Sequence, residues 1–412
     1  MLGLYFMTIL KTDLAVVGGG PAGLISSRTA AEEGINVHLF DTKENIGFHE
    51  HCAGLLSIQG LHTLDLNDLP KDLIQNDSVK GAKIYSPSGK ELLVSKNQRT
   101  AYVVNRAKFD RYLYNLALES GVTIHHSSKV FKIERLKESV ILELGKKNNH
   151  RKIQSSLAIL AEGRFPMLNK QVGLPLPRRD KIVFSSMYIM KGIRNIDPEY
   201  VEIYQDQKFA PEFFSWIIPL DTTTAKVGLA SSQTPASDSL NRFIKGHPTA
   251  KVKLQNATIV KRMNGAIPLG SSIKRTYSNN ILVVGDAAGQ TKPTTGGGVI
   301  FGGIAAKFAG QIASDGIKQN RLDRRFLSKY SKLWKKELSY NLMVMKLVRK
   351  YIDRLTEKEV DILFQFLDRQ KFKKIISERG DVDNQKELVI KLLTELRLWP
   401  FLMKTGFRIL KK

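Results

Sequence analysis

The sequence predicts an α/β fold in three parts: a Rossmann-type domain, an antiparallel β-sheet domain inserted into it, and a helical C-terminal region. Three observations predict this. Near the N-terminus a β-rich run passes through a glycine-rich turn into a helix-like segment. More than 250 residues later a second buried run meets a second glycine-rich turn. Between them, over residues 181–265, short strand-like runs alternate.

Length and composition bound the answer. The 412 residues leave room for two or three domains. Hydrophobic residues at 42% and charged residues at 25% exclude disordered, collagenous and low-complexity chains. A single cysteine excludes a disulfide framework and an all-cysteine metal or iron–sulfur centre within one chain. No apolar run reaches the roughly 18 residues needed to span a bilayer. Residues 1–10 are apolar, but no basic residues precede them and no small-residue cleavage site follows. Secretion is therefore not expected, a cytoplasmic placement is, and a start at Met7 would still leave a short lead into the first strand. Lys and Arg number 64 against 39 Asp and Glu, a formal charge of +25 that favours an anionic partner.

The first strand–turn–helix covers Thr12 to Gly34. Val16 and Val17 lead into Gly18-Gly19-Gly20-Pro21-Ala22-Gly23, and a helix-like segment follows from Leu24. Gly18 permits a tight turn, Gly20 lets backbone approach a pyrophosphate, and Gly23 lets helix and strand pack closely, with Ala22 beside it. The helix N-terminus offers free N–H groups and a positive dipole end to phosphates. The next strand, Ile35 to Phe40, ends at Asp41, where a carboxylate can accept from a ribose diol. Set between a strand and a helix, this pattern points to a dinucleotide.

Downstream, Ile281-Leu282-Val283-Val284-Gly285-Asp286-Ala287 runs into Pro293-Thr294-Thr295-Gly296-Gly297-Gly298-Val299 and a small-residue helix. This resembles the second FAD motif of flavoprotein hydroxylases and their relatives. The resemblance implies that Asp286 binds the ribityl chain, and that Gly298 and Val299 aim backbone N–H groups at the pyrimidine side of the ring, where reduced flavin is anionic. It also implies that Arg106, in Asn105-Arg106-Ala107-Lys108-Phe109-Asp110, contacts FAD and that the backbone of Val130 lies near the adenine. The Asp-Gly turn of those relatives appears here as Glu162-Gly163.

In the middle of the chain Phe214-Ser215-Trp216-Ile217-Ile218-Pro219 precedes Gly228-Leu229-Ala230, and His51-Cys52-Ala53-Gly54-Leu55 follows the second strand. Together with the Lys292 to Gly298 run, these resemble the geranylgeranyl reductase family, with the archaeal digeranylgeranylglycerophospholipid reductases as the nearest group. Ile218 and Ala230 depart from the family's Phe and Gly. The resemblance covers roughly residues 12–330. It implies an FAD enzyme that saturates isoprenoid C=C bonds of membrane ether lipids. Cys52, Ala53 and Leu55 would lie near the flavin, and Phe214, Trp216 and Pro219 would line a polyprenyl site; the proton donor is not identified by the sequence, Cys52 and ordered water both being candidates. The alternative is an FAD-dependent monooxygenase or halogenase, which shares the FAD motifs, although Phe214 stands where halogenases carry a tryptophan. A lipid carrier that keeps FAD structurally is a further alternative.

The expected organisation is an FAD-binding domain in three pieces (1–80, 105–170, 276–325), a substrate-sheet excursion (81–104), an inserted substrate domain (171–275) and a basic helical domain (326–412). No metal is expected, since His49, Glu50, His51 and Cys52 have no partner cluster elsewhere. No second strand–GxGxxG–helix unit for NAD(P)H is visible, so the external electron donor is a ferredoxin or a transiently bound NAD(P)H. Residues 321–412 carry 24 Lys and Arg against 12 Asp and Glu. An amphipathic run over 388–399, closed by Pro400, and a tail over 401–412 suit peripheral contact with an anionic membrane at its inner face. Nucleic acid is not expected, because no recognition motif accompanies the charge.

Overall fold

The structure, a computed structural model, describes residues 9–48, 50, 52–146, 149–381 and 383–410. Met1, Met7, His49 and His51 lie outside the described residues.

The apolar run around Val16 becomes the strand Leu10–Val17 at the parallel centre of an eight-stranded mixed sheet, with Val37–Phe40 on one side and Asn149–Leu160 on the other. Val16 registers with Leu39 and with Ile159. Thr123–His125 extends the sheet beyond Val37–Phe40, and Ile281–Val283 extends it beyond Asn149–Leu160. The strand is buried on both faces, which is why it reads as continuous apolar sequence. Leu14 and Val16 face a core shared with the helices Pro21–Glu32 and Val299–Lys318, while Ala15 and Val17 face the hairpin of Val130–Arg135 and Val140–Lys146.

A seven-stranded sheet has the order Thr258–Pro268, Ile182–Lys191, Thr224–Ser231, Ser215–Pro219, Tyr200–Tyr204, Gly81–Tyr85, Glu91–Ser95. It is antiparallel except for one parallel pair, Tyr200–Tyr204 with Gly81–Tyr85. One face packs on the helices Ala236–Gly246 and Pro248–Leu254 through Leu240, Phe243 and Ala250. The other face presents Phe214, Trp216, Ile218 and Ala230. The strand Ala101–Val104 lies outside this sheet and pairs with Leu55–Ser57 and Ile74–Asn76.

The C-terminal region is helical. Asp323 caps the long helix Arg324–Ile352 by accepting from the Arg325 and Phe326 N–H groups, and Thr356 opens Glu357–Leu367 with a reciprocal capping box. Here the structure corrects the sequence reading of Pro400. It does not close a helix; it is the second residue of the last helix, Trp399–Leu410, where a missing N–H costs nothing. The preceding helix ends earlier, at Leu393. Among the described residues no helix is long and apolar enough to cross a membrane.

Candidate functional site

The two glycine-rich turns, distant in sequence, meet in space. Gly18 adopts φ +108°, and a Cβ there would sit 2.3 Å from the Ala161 carbonyl oxygen. Only glycine serves at this turn. A Cβ on Gly23 would lie 1.8 Å from the Gly18 carbonyl oxygen, so helix and strand approach as the spacing predicted. Gly20 is the opposite case: nothing lies within 4 Å of the position its Cβ would take. Ala22 packs on the second turn, its Cβ 2.9 Å from where a Cβ on Gly285 would be.

Both helix N-termini are bare. Gly20 begins Pro21–Glu32 and Gly298 begins Val299–Lys318, and neither has a side-chain cap. In each case backbone N–H groups of the first turn are left for a ligand. Asp41 is buried at the end of its strand; its carboxylate accepts from Gly19 N at 2.5 Å and from Lys43 N at 2.7 Å. Val130 shares a core cluster with Val17 and Phe40, and Ser128 N donates to the Asp41 carbonyl at 2.8 Å, so this segment lies beside the second strand's end. On the second turn, Asp286 Oδ1 accepts from Thr291 Oγ1 at 2.8 Å and lies 2.8 Å from where a Cβ on Gly298 would be. The hydroxyls of Thr294 and Thr295 are buried without a hydrogen-bond partner. An open cradle at Gly20, two bare helix starts, an acid at the second strand's end and two orphaned hydroxyls fit an extended, phosphate-bearing dinucleotide.

Arg106 opens the helix Arg106–Glu119 and is buried. Its guanidinium grips Asp110 at 2.9–3.2 Å and also meets Cys52. Burial alone would lower it, but the Asp110 carboxylate and then Cys52 raise it above its ordinary value, so the charge is permanent. Cys52 is the free cysteine, half-buried. The departure at Glu162 also has an explanation: its carboxylate caps the short helix Leu168–Gln171, accepting from Leu168 N at 3.0 Å.

The aromatic box forms a wall beside the second turn. Phe213 stacks on Phe214 at 4.2 Å, and Phe214 meets Trp216 edge-on at 6.0 Å. Trp216 lies over Gly228, where a Cβ would be 2.7 Å from the indole ring, so the glycine makes room for the tryptophan. The indole N–H is buried without a partner. Ala53 and Leu55 pack against the same cluster. Pro219 ends the strand, its carbonyl accepting from Asn76 Nδ2 at 2.9 Å. The wall touches the glycine loop directly: a Cβ on Gly296 would lie 2.7 Å from Ile267 and 3.2 Å from Phe213.

Two features escaped the sequence reading. Lys226 is fully buried; its ammonium donates to Glu50 at 2.8 Å, to the Ala53 carbonyl at 3.0 Å and to the Val104 carbonyl at 3.2 Å. It fixes the Cys52 loop to the wall. Burial would raise the Glu50 carboxyl, but Lys226 and Lys261 hold it below its ordinary value. Burial lowers the Lys226 ammonium, and Glu50 opposes that. The available signal was a lysine in a strand otherwise reading Ala225, Val227, Gly228, Leu229, Ala230. The second feature is Asp383, which reaches from the C-terminal region to bond both Ser57 and Lys292. No local pattern marks it.

Fold and site together define an α/β protein in which two glycine-rich turns, of the kind that cradles phosphates, abut an apolar wall. The family described as Lycopene cyclase protein matches residues 13–379. An uncharacterised protein of Methanocaldococcus jannaschii is 30% identical over 97% of this chain and 98% of its own. Digeranylgeranylglycerophospholipid reductase 2 of Methanothermobacter thermautotrophicus is 30% identical over 87% of this chain and 92% of its own. The chain belongs to the digeranylgeranylglycerophospholipid reductase family. Among solved structures, a geranylgeranyl bacteriochlorophyll reductase-like protein of Thermoplasma acidophilum superposes with a TM-score of 0.84 at 24% identity, covering 96% of this chain and all of that one. A flavin-dependent brominase superposes with a TM-score of 0.70 at 17% identity, covering 92% and 97%. These two likenesses show the fold.

Proposed function

We propose that the chain is an FAD-dependent reductase that saturates C=C bonds in the geranylgeranyl chains of archaeal-type membrane ether lipids. The observation that carries this reading is the shared boundary at Gly296. There the loop that begins the bare helix at Gly298 packs against Phe213 and Ile267 of an apolar wall. An apolar chain laid on Phe214 and Trp216 is thereby held beside the cofactor cleft.

The residues divide the work. Gly18, Gly20, Ala22, Gly23, Asp41, Arg106 and Val130 hold the adenosine and pyrophosphate half. Asp286, Gly298 and Val299 hold the ribityl and pyrimidine half. Cys52, Ala53 and Leu55 would border the flavin on the side of Phe214, Trp216 and Pro219. Reduced FAD, when bound, supplies a hydride to one alkene carbon. An isolated alkene has no carbonyl to polarise, so the wall would have to exclude water and hold the double bond in a fixed position. The second carbon needs a proton. Cys52, whose Sγ meets the Arg106 guanidinium, is one candidate donor, and ordered water is the other. The enzyme works at the inner face of an anionic membrane and takes electrons from an external donor, ferredoxin or NAD(P)H.

The test is anaerobic. Flavin reduced with dithionite is mixed with geranylgeranyl ether lipid, and reoxidation is followed with the lipid's mass. The expected result is two mass units gained per double bond, matched by reoxidation. Flavin that stays reduced until oxygen enters, with hydroxylated or halogenated product, would establish the monooxygenase or halogenase instead. Cys52→Ser is expected to keep its flavin and to slow reoxidation by lipid about 100-fold. Unchanged reoxidation would remove Cys52 as donor.

A further inference from the structure

The long helix Arg324–Ile352 has two faces, and the site explains one of them. On the inner face Tyr330, Trp334, Leu338 and Met345 are buried. Tyr330 Oη donates to the Val283 carbonyl at 2.8 Å and accepts from Gln290 Nε2 at 2.9 Å, bracing the second glycine turn. Near its C-terminal end Arg349 lies 4.7 Å over the Phe213 ring. On the opposite face Leu333, Tyr340, Met343 and Leu347 are 37%, 47%, 49% and 59% exposed. Their spacing of seven, three and four residues puts them in one row, about 21 Å long at 1.5 Å per residue. The helix carries nine Lys and Arg and one acid, Glu337. Lys329, Lys332, Lys336, Lys346 and Lys350 are exposed, and at 100° per residue they interleave with the row and flank it.

A merely solvated face does not hold four large apolar side chains in a row. A protein interface core is depleted of lysine. Apolar side chains bordered by lysines match a bilayer boundary with anionic headgroups. We infer that this face of the helix rests on an anionic lipid surface, the row entering the headgroup region and the lysines meeting lipid phosphates. The inner face of the same helix touches the aromatic wall through Arg349 and Phe213, so one helix, about 10 Å across, separates membrane from wall. A chain drawn from the bilayer has only that thickness to pass. The purpose of the contact rests on the proposed lipid substrate; the contact itself does not. The tail, with Leu396, Trp399 and Met403 exposed, is the competing surface.

The test uses the full-length flavin-loaded protein and co-sedimentation with phosphatidylcholine vesicles, with and without phosphatidylglycerol. Wild type is expected to bind the anionic vesicles at least about tenfold better, and less well in high salt. The double variant Met343→Glu/Leu347→Glu is expected to lose about tenfold in binding while keeping its flavin and its activity on detergent-dispersed lipid. The charge-only variant Lys346→Glu/Lys350→Glu is expected to lose a similar factor on anionic vesicles alone. Trp399→Ser/Met403→Ser is expected to stay within about twofold of wild type. Wild-type binding by both helix variants overturns the inference, as does loss confined to the tail variant. So does a change of oligomeric state in Met343→Glu/Leu347→Glu without vesicles, which would make the face a contact between copies. Vesicle binding through this face by a chain that reduces no isoprenoid would uphold the face and remove the reductase reading.

Discussion

The two sides of the cleft are built on different terms. On the side of the glycine turns the decisive residues matter for atoms they lack: the Gly23 position meets backbone at 1.8 Å and the Gly18 position at 2.3 Å. On the wall side the decisive residues are large, and they matter for the surface they fill. Even the glycine there, Gly228, makes room first for a side chain, the Trp216 ring at 2.7 Å, and then for the Ser186 carbonyl at 2.9 Å. Backbone cannot step aside, whereas side chains can repack. Substitutions on the first side should act all-or-none, and those on the second by degrees.

The largest effect is expected at Gly23→Val. The added side chain collides with the Gly18 carbonyl, so the purified protein should be colourless and unfold without a cooperative transition. A stoichiometric flavin spectrum from this variant would break the comparison. Next comes Lys226→Met, which leaves Glu50 buried with only the half-exposed Lys261. Removing one partner of a buried pair costs about 3–5 kcal/mol, measurable by urea unfolding. Lys226→Met/Glu50→Gln should recover most of that; a double variant no more stable than the single would show that the loss has another origin. Gly228→Ala presses on the Trp216 ring and is expected to cost about 1–3 kcal/mol while leaving flavin content unchanged. Loss of flavin here would mean that wall and cofactor turn are not separable.

The smallest effect is that of pH. The Glu50 carboxyl titrates lower in the folded chain than its ordinary value. Its contribution is therefore complete above the unfolded value of about 4.3 and is lost as pH falls through the lower folded value. Wild type should lose urea resistance over that acid range more steeply than Glu50→Gln, and identical slopes would remove Glu50 as the acid-sensitive group.

The same contrast governs what the sequence disclosed. Gly18, Gly20, Gly23, Asp41, Asp286 and Gly298 belong to local strand–turn–helix units, so their spacing carried them. The aromatic box was visible because alternation along one strand puts Phe214 and Trp216 on one face. Lys226 and Glu50 were not paired in that reading, because their partnership spans 176 residues and a lysine inside a strand reads as a surface residue. Asp383 was beyond reach for the same reason, with Lys292 91 residues away and Ser57 326 away. The Pro400 misreading came from treating proline as a terminator when a first-turn position also tolerates it.

The contact of Ala22 with Gly285 sets a timetable for biosynthesis. When the first turn leaves the ribosome, its counterpart has yet to be translated, and at about 5–20 residues per second it follows roughly 13–50 s later. Until then the first glycine turn stands without its counterpart, and the strand Asn149–Leu160, once made, lacks its outer neighbour, Ile281–Val283. The two glycine turns can therefore meet only after most of the chain has been made.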